Sequence, residues 1–189
     1  MNPPDAPLPL APGSIRDTLR ARLAVRAWSH APPHKGTPSA VLIPLFEEGN
    51  EVRLWLVRRA STLRRHSGQV AFPGGKSDPL EAPRETALRE AHEEIGLTAT
   101  AVDVLGRLDD LVTGTGFTIA PFVGWLREPF TPVPSQAEVA RVFSAPLAAF
   151  MAKPRGIPPF HGYNVDGERV WGATGKILRD LLAVLRATS

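Results

Sequence analysis

The chain has 189 residues, 22 basic against 19 acidic, a formal net charge of +3 and no cysteine. That length suits one domain with its own core, and the missing cysteine excludes disulfides, thiolate ligands and thiol catalysis. No run approaches the roughly 18 apolar residues of a membrane-spanning helix, and the basic residues are too scattered, without interleaved aromatics, for a nucleic-acid surface.

The first thirteen residues hold five prolines and no lysine or arginine. They do not read as a secretory signal, and we expect a stiff, poorly ordered leader over residues 1–13 ahead of a single domain over 14–189. A helix is expected from Ser14 to Trp28, with Ser14 as N-cap and Ile15, Leu19 and Leu23 on one side. A proline-bearing connector, His30 to Pro38, leads to strands at Ala40–Phe46 and Val52–Arg59 around the turn signal at Glu48-Gly49-Asn50. A basic loop follows, then a short strand over Gln69–Phe72 and the sequence Pro73-Gly74-Gly75. The next helix has Pro83 in its first turn and Gly96 just past its end. Further strands are expected at Ala99–Leu105, Arg107–Leu111, Thr118–Trp125 and Val139–Phe143. A closing helix, about Thr174 to Arg186, buries Ile177, Leu178, Leu181, Leu182 and Leu185. Several strands with three helices make a layered α/β or α+β domain.

The helix after Pro83 carries the chemistry. Glu90, Glu93 and Glu94 stand at i, i+3 and i+4 and so share one face. On a wheel of about 100° per residue they fall opposite Ala87, Leu88, Ala91 and Ile95, so one stripe can be buried while the other meets a cleft. Like charges at that spacing repel, and a hard cation with a preference for oxygen ligands, Mg²⁺ or Mn²⁺, removes the repulsion. Arg89 lies four residues from both Glu85 and Glu93 and can brace the acidic face.

Residues 75–97, GKSDPLEAPRETALREAHEEIGL, resemble the Nudix box, GX5EX7REUXEEXGU. Gly75, Glu81, Arg89, Glu90, Glu93, Glu94 and Gly96 fill its fixed positions; Ala91 is small for the first aliphatic slot, and Leu97 fits the last. The resemblance implies the Nudix fold, an α/β/α sandwich around a mixed sheet, and metal-dependent hydrolysis of a nucleoside diphosphate linked to another moiety. It implies that Glu90, Glu93, Glu94 and the Gly75 carbonyl hold the metal, with Glu81 and Arg89 positioning the ligands. Glu138, in an acidic-loop-then-strand segment like the family's, is a candidate further ligand or general base. Glu93 and Glu94 are the other candidates for the base.

Residues 55–75, WLVRRASTLRRHSGQVAFPGG, resemble the additional motif of the family's coenzyme A pyrophosphatases, LLTxxSxxLRxHxGxVxFPGG. Leu56, Leu63, Arg64, His66, Gly68, Val70, Phe72, Pro73, Gly74 and Gly75 match; Trp55, Val57 and Ala60 depart. The resemblance implies cleavage of coenzyme A, or an acylated or oxidised form, to 3′,5′-ADP and 4′-phosphopantetheine. Arg58, Arg59, Arg64, Arg65 and His66 are the expected cationic donors to its phosphates, with His66 alternatively a loop-holding hydrogen-bond donor. Gly68 and Gly74 are expected to be backbone devices. Other Nudix substrates compete: ADP-ribose, NADH or an oxidised nucleotide. The tail of NADH-cleaving members is absent, however, and no proline stands between Leu97 and Pro121 where ADP-ribose-cleaving members carry one. Isopentenyl diphosphate isomerases of this fold need a catalytic cysteine, and nucleotide sensors built on it typically lose box glutamates. The expected partner is a small molecule rather than nucleic acid or membrane. The expected compartment is the cytoplasm, and the chain a monomer or homodimer.

Overall fold

The computed structural model describes residues 11–31, 36–61, 68–152 and 162–187. Helix α1 (Pro12–Val25) precedes strands β1 (Thr37–Glu48), β2 (Glu51–Arg59), β3 (Val70–Ala71) and β4 (Gly74–Lys76). Helix α2 (Pro83–Ile95) follows, then β5 (Val102–Arg107), β6 (Leu111–Val112), β7 (Phe117–Leu126), β8 (Val139–Pro146), the hairpin β9 (Gly162–Val165) and β10 (Glu168–Trp171), and helix α3 (Gly172–Arg186).

One eight-stranded sheet organises the molecule. Strand β1 runs parallel to β7, while every other pairing in the sheet is antiparallel, so the sheet is mixed. Period-two alternation sends successive side chains to opposite faces. Along β2, Leu54 and Leu56 join a core with α1 and α3, while Trp55 and Val57 join a second core with α2. The four leucines and one isoleucine expected to line α3 are all buried. The result is an α+β sandwich with two helices on one face and one on the other.

The feature that places the site is a split between β1 and β2. They form a hairpin where Leu45–Glu48 face Glu51–Leu54, then part. Residues 70–76 enter the opening: Val70 and Ala71 pair with β2, and Gly74 to Lys76 pair with β1. The Leu42 N–H donates to the Pro73 carbonyl across the gap at 2.9 Å. The buried Thr174 hydroxyl of α3 donates to the Val70 carbonyl at 3.0 Å, fixing β3 from behind.

Several expected boundaries move, each for a physical reason. Helix α1 starts at Pro12, whose fixed φ suits N1, so Ser14 lies inside the helix and makes no cap. The strand expected over 107–111 is interrupted: Arg107 ends β5, Leu111 begins β6, and residues 108–110 form no strand. The Asp109 and Asp110 carboxylates instead accept the Ser29 and Ala31 N–H groups, at 2.7 and 3.0 Å, and draw this stretch off the ladder. Residues 99–101 form a 3₁₀ turn before β5. The β9–β10 hairpin was not anticipated, although Asp166-Gly167 is a sequence signal for a tight turn. Both residues have positive φ, 51° and 75°, as a type I′ turn requires.

Candidate active site

Helix α2 is anchored at both ends. The Glu85 carboxylate accepts the Ala82 N–H at 3.1 Å, satisfying a donor at the N-terminus, and Gly96 terminates the helix in the left-handed region at φ 76°. Ala87, Ala91 and Ile95 are completely buried against the sheet. The acidic stripe opposite is graded rather than uniformly open. The Glu93 side chain is 55% exposed, Glu90 13% and Glu94 1%.

Arg89 is the hub of the outer part. Its Nε and Nη2 donate to the two Glu81 oxygens at 2.9 and 3.1 Å, and Nη1 donates to Glu90 and Glu93, each at 2.9 Å. Nη2 also reaches the Lys76 carbonyl at 3.1 Å. The expected Glu85 partner is thus replaced by Glu81, because Glu85 is engaged at the helix N-terminus. Glu81 accepts two further bonds, from the buried Thr86 hydroxyl at 2.7 Å and the Asp78 N–H at 3.1 Å. Arg89 is the chief reason its carboxyl is held down at about 2.

The inner part centres on Glu94. One oxygen accepts Arg59 Nη1 and the other the Gly74 N–H, both at 3.1 Å. Burial pushes this carboxyl up to about 7, with Arg59 and the Gly74 N–H opposing and the charges of Glu90 and Glu138 adding to the rise. Glu90 is raised for the same leading reason, burial, against the pull of Arg89. The exposed Glu138 therefore belongs to the same electrostatic cluster. Its loop is strapped to α2: the Val133 and Ser135 N–H groups donate to the Ile95 and Glu94 carbonyls, both at 2.9 Å, and the Glu138 carbonyl accepts the Ala60 N–H at 2.8 Å.

Glycines make this proximity possible. A Cβ on Gly75 would lie 2.4 Å from the Glu90 carboxylate, and one on Gly74 would lie 2.4 Å from the Ala40 carbonyl oxygen. Space, rather than a turn, demands glycine at position 75. Gly68 differs: its φ of 69° favours glycine, and its surroundings are open.

Among the described residues no three acidic or histidine side chains converge closely enough to hold a metal as they stand. Arginines engage the carboxylates instead: Arg89 holds Glu90 and Glu93, and Arg59 holds Glu94. The donor set nevertheless fits a hard divalent cation. It is all oxygen, it concentrates like charge where burial disfavours ionisation, and Gly75 leaves room beside Glu90.

The other expected ligand-binding residues separate. Arg58 pairs at 3.2 Å with Glu168, which also accepts Arg141 at 3.1 Å. Phe72 is core, 2% exposed among residues facing α1 and α3. Leu63, Arg64, Arg65 and His66 lie outside the described residues. Sequence reasoning missed Thr86, which bonds both Glu81 and Ser77. A hydroxyl on the buried side of an acidic helix is the signal that could have found it.

Comparison with known proteins agrees with this arrangement. The NUDIX domain family matches residues 36–156. The Nudix hydrolase NudL of Yersinia enterocolitica, itself uncharacterised, is 40% identical over 154 residues, covering 76% of this chain and 78% of that protein. Among solved structures, a Nudix hydrolase from Alicyclobacillus acidocaldarius aligns with a TM-score of 0.57 at 21% identity, over 82% of this chain and 95% of that one. The MutT protein of Methanosarcina mazei aligns with a TM-score of 0.57 at 18% identity, over 86% and 99%. Sequence and fold together make this chain a member of the Nudix family of hydrolases.

Proposed function

We propose that the chain hydrolyses the diphosphate bond of coenzyme A or of an acylated or oxidised derivative. The observation that carries this reading is where the coenzyme A-type segment, residues 55–75, is rooted. Residues 55–59 lie in β2, Gly74 and Gly75 pair with β1 beside Glu90, and residue 59 is bonded to residues 68 and 69. The Arg59 N–H donates to the Gln69 carbonyl at 3.0 Å, and the Gly68 N–H donates to the Arg59 carbonyl at 3.2 Å. The described residues on either side, Arg59 and Gly68, are thereby held together near the acidic cluster, and Arg64, Arg65 and His66 fall between them in sequence. A ligand with a diphosphate and a separate 3′-phosphate needs cationic donors at two places, and arginine suits both.

In this mechanism Glu90, Glu93, Glu94 and the Gly75 carbonyl, with Glu138 as a further candidate, hold Mg²⁺ or Mn²⁺. The bound cation would neutralise charge on the diphosphate and lower the pKa of a water. Glu81 and Arg89 fix the direction of Glu90 and Glu93. A carboxylate among Glu93, Glu94 and Glu138 takes the water's proton as its oxygen bonds to phosphorus. The bridging P–O bond breaks, giving 3′,5′-ADP and 4′-phosphopantetheine. In this reading Arg64 is the donor to the 3′-phosphate, His66 is a donor either to the ligand's phosphates or to its own loop, and the reaction is cytoplasmic.

The test is a substrate panel of coenzyme A, dephospho-coenzyme A, ADP-ribose and NADH with chromatographic product detection. We expect coenzyme A to have the highest kcat/KM. Arg64→Ala should weaken use of coenzyme A by about tenfold or more, the scale of one lost charge-assisted contact, and spare dephospho-coenzyme A. Faster cleavage of ADP-ribose or NADH would overturn the assignment; equal loss on both coenzyme A forms would remove Arg64 from the 3′-phosphate.

A further inference from the structure

Resting on the reading of Glu90, Glu93 and Glu94 as the cation site, the geometry points to Arg59 as a positioning residue: it orients Glu94 and sets how tightly the acidic cluster holds a divalent ion. Arg59 is the last residue of β2, and its side chain is only 24% exposed where it meets the almost completely buried Glu94. The pair spans 35 positions of sequence and joins the basic segment to the helix of glutamates. Its location is fixed by backbone on both sides, since the Arg59 N–H and carbonyl close the base of the 60–67 segment. The ladder between β2 and β8 also shifts register between Arg58 and Arg59, which re-aims the side chain at the strand's end.

Charge gives this contact a consequence that mere bracing would not have. Four carboxylates, Glu90, Glu93, Glu94 and Glu138, face two arginines, Arg59 and Arg89. A divalent ion on Glu94 competes with Arg59 for the oxygen that Arg59 holds and is repelled by its charge. Cation binding and the Arg59–Glu94 pair therefore oppose one another, and by linkage each weakens the other. The Gly74 N–H holds the second Glu94 oxygen independently, so the carboxylate keeps one tether when Arg59 is removed. Loosened from Glu94, the Arg59 guanidinium becomes available to pair with an anionic diphosphate bound at the cluster. The substrate's charge then replaces that of Glu94, so cation and substrate favour each other's binding.

The test measures Mn²⁺ binding to the full chain by calorimetry, without substrate, at about pH 8.5 so that carboxylates are ionised. Arg59→Gln should bind Mn²⁺ about tenfold more tightly than wild type, because a repelling charge is gone. It should also show a larger rise in Tm on adding Mn²⁺. Arg59→Lys, which keeps the charge, should stay within about threefold of wild type. In wild type, saturating Mg²⁺ should shift the Arg59 Nε–H resonance, identified by its loss in Arg59→Lys; this holds the inference to account even where Arg59→Gln fails to fold. Unchanged or weaker Mn²⁺ binding in folded Arg59→Gln, tightening in Arg59→Lys equal to that in Arg59→Gln, or an unmoved resonance would each overturn it while leaving the cation site standing. Absence of Mn²⁺ binding in wild type would instead overturn the cation site, and this inference with it.

Discussion

A methyl group at position 75 would sit 2.4 Å from the carboxylate of Glu90. The clash is with the far end of a flexible side chain, so Gly75→Ala should fold and should displace Glu90. We expect turnover to fall by roughly 100-fold, the scale of a misplaced ligand, with the circular dichroism spectrum unchanged; wild-type turnover would show that Glu90 need not occupy its present position. Glu93→Gln removes an anionic donor without changing shape, and should cut kcat by about 100-fold or more while leaving Tm nearly unmoved, since the side chain is largely solvent-facing. Much of this residue-level detail was legible in advance. The resemblance over Gly75 to Gly96 singled out Glu81, Arg89 and the three glutamates, and the structure brings Arg89 into contact with Glu81, Glu90 and Glu93. The partners chosen by arginine were not legible. Arg89 takes Glu81 from the preceding turn instead of Glu85, and Arg59 reaches Glu94 from another strand, so both choices are tertiary.

Elements were legible where their signal is local. The stripe of α3 and the punctuation of α2 by Pro83 and Gly96 are periodic or stereochemical features, and both hold. The segment 107–111 was misread because residues 109 and 110 bond to residues 29–31 rather than to a neighbouring strand: both carboxylates accept N–H groups there, and the Asp110 N–H donates to the Ser29 carbonyl. The joint between α1 and β5 offers a test at this scale. Arg16 donates to Asp103 at 2.8 Å and Arg20 joins it at 2.5 Å. Chiefly through Arg16, with Arg20 assisting, the Asp103 carboxyl is held below the ordinary carboxylate value. A depressed folded-state pKa gives stability that is complete above the ordinary value and is lost as pH falls through the depressed one. Both arginines are substantially exposed, so the contribution is about 1 kcal/mol or less. Asp103→Asn should lower Tm slightly at neutral pH and converge with wild type in strong acid; a constant Tm offset from neutral to acid would show that charge is not the cause. Arg22 of α1 supports the same layer by donating to the Val184 and Leu185 carbonyls at the end of α3, at 2.9 and 2.7 Å.

At the scale of the molecule, no helix among the described residues is long and apolar enough to cross a membrane. Two cores flank one sheet, and the acidic cluster lies where α2, the β1–β2 split and the loop before β8 meet. None of these parts depends on a cation for its own packing, since each is held by buried apolar contacts and backbone hydrogen bonds. Chelation with EDTA should therefore abolish hydrolysis and leave the far-ultraviolet spectrum intact, with activity restored by added Mg²⁺ or Mn²⁺. Full activity after chelation would remove the basis of the mechanism.

The pinned ends of the 60–67 segment carry one more consequence. Because residue 59 is bonded to residues 68 and 69, the chain between those posts can change length at small entropic penalty, which grows only logarithmically with loop size. Arg59 and Gly74, on either side, stay in register with the hydrolytic machinery. Under the function proposed above, transplanting another Nudix enzyme's sequence between Ala60 and Ser67 is expected to redirect substrate choice while the hydrogen bonds of Arg59 to residues 68 and 69 keep the sheet intact.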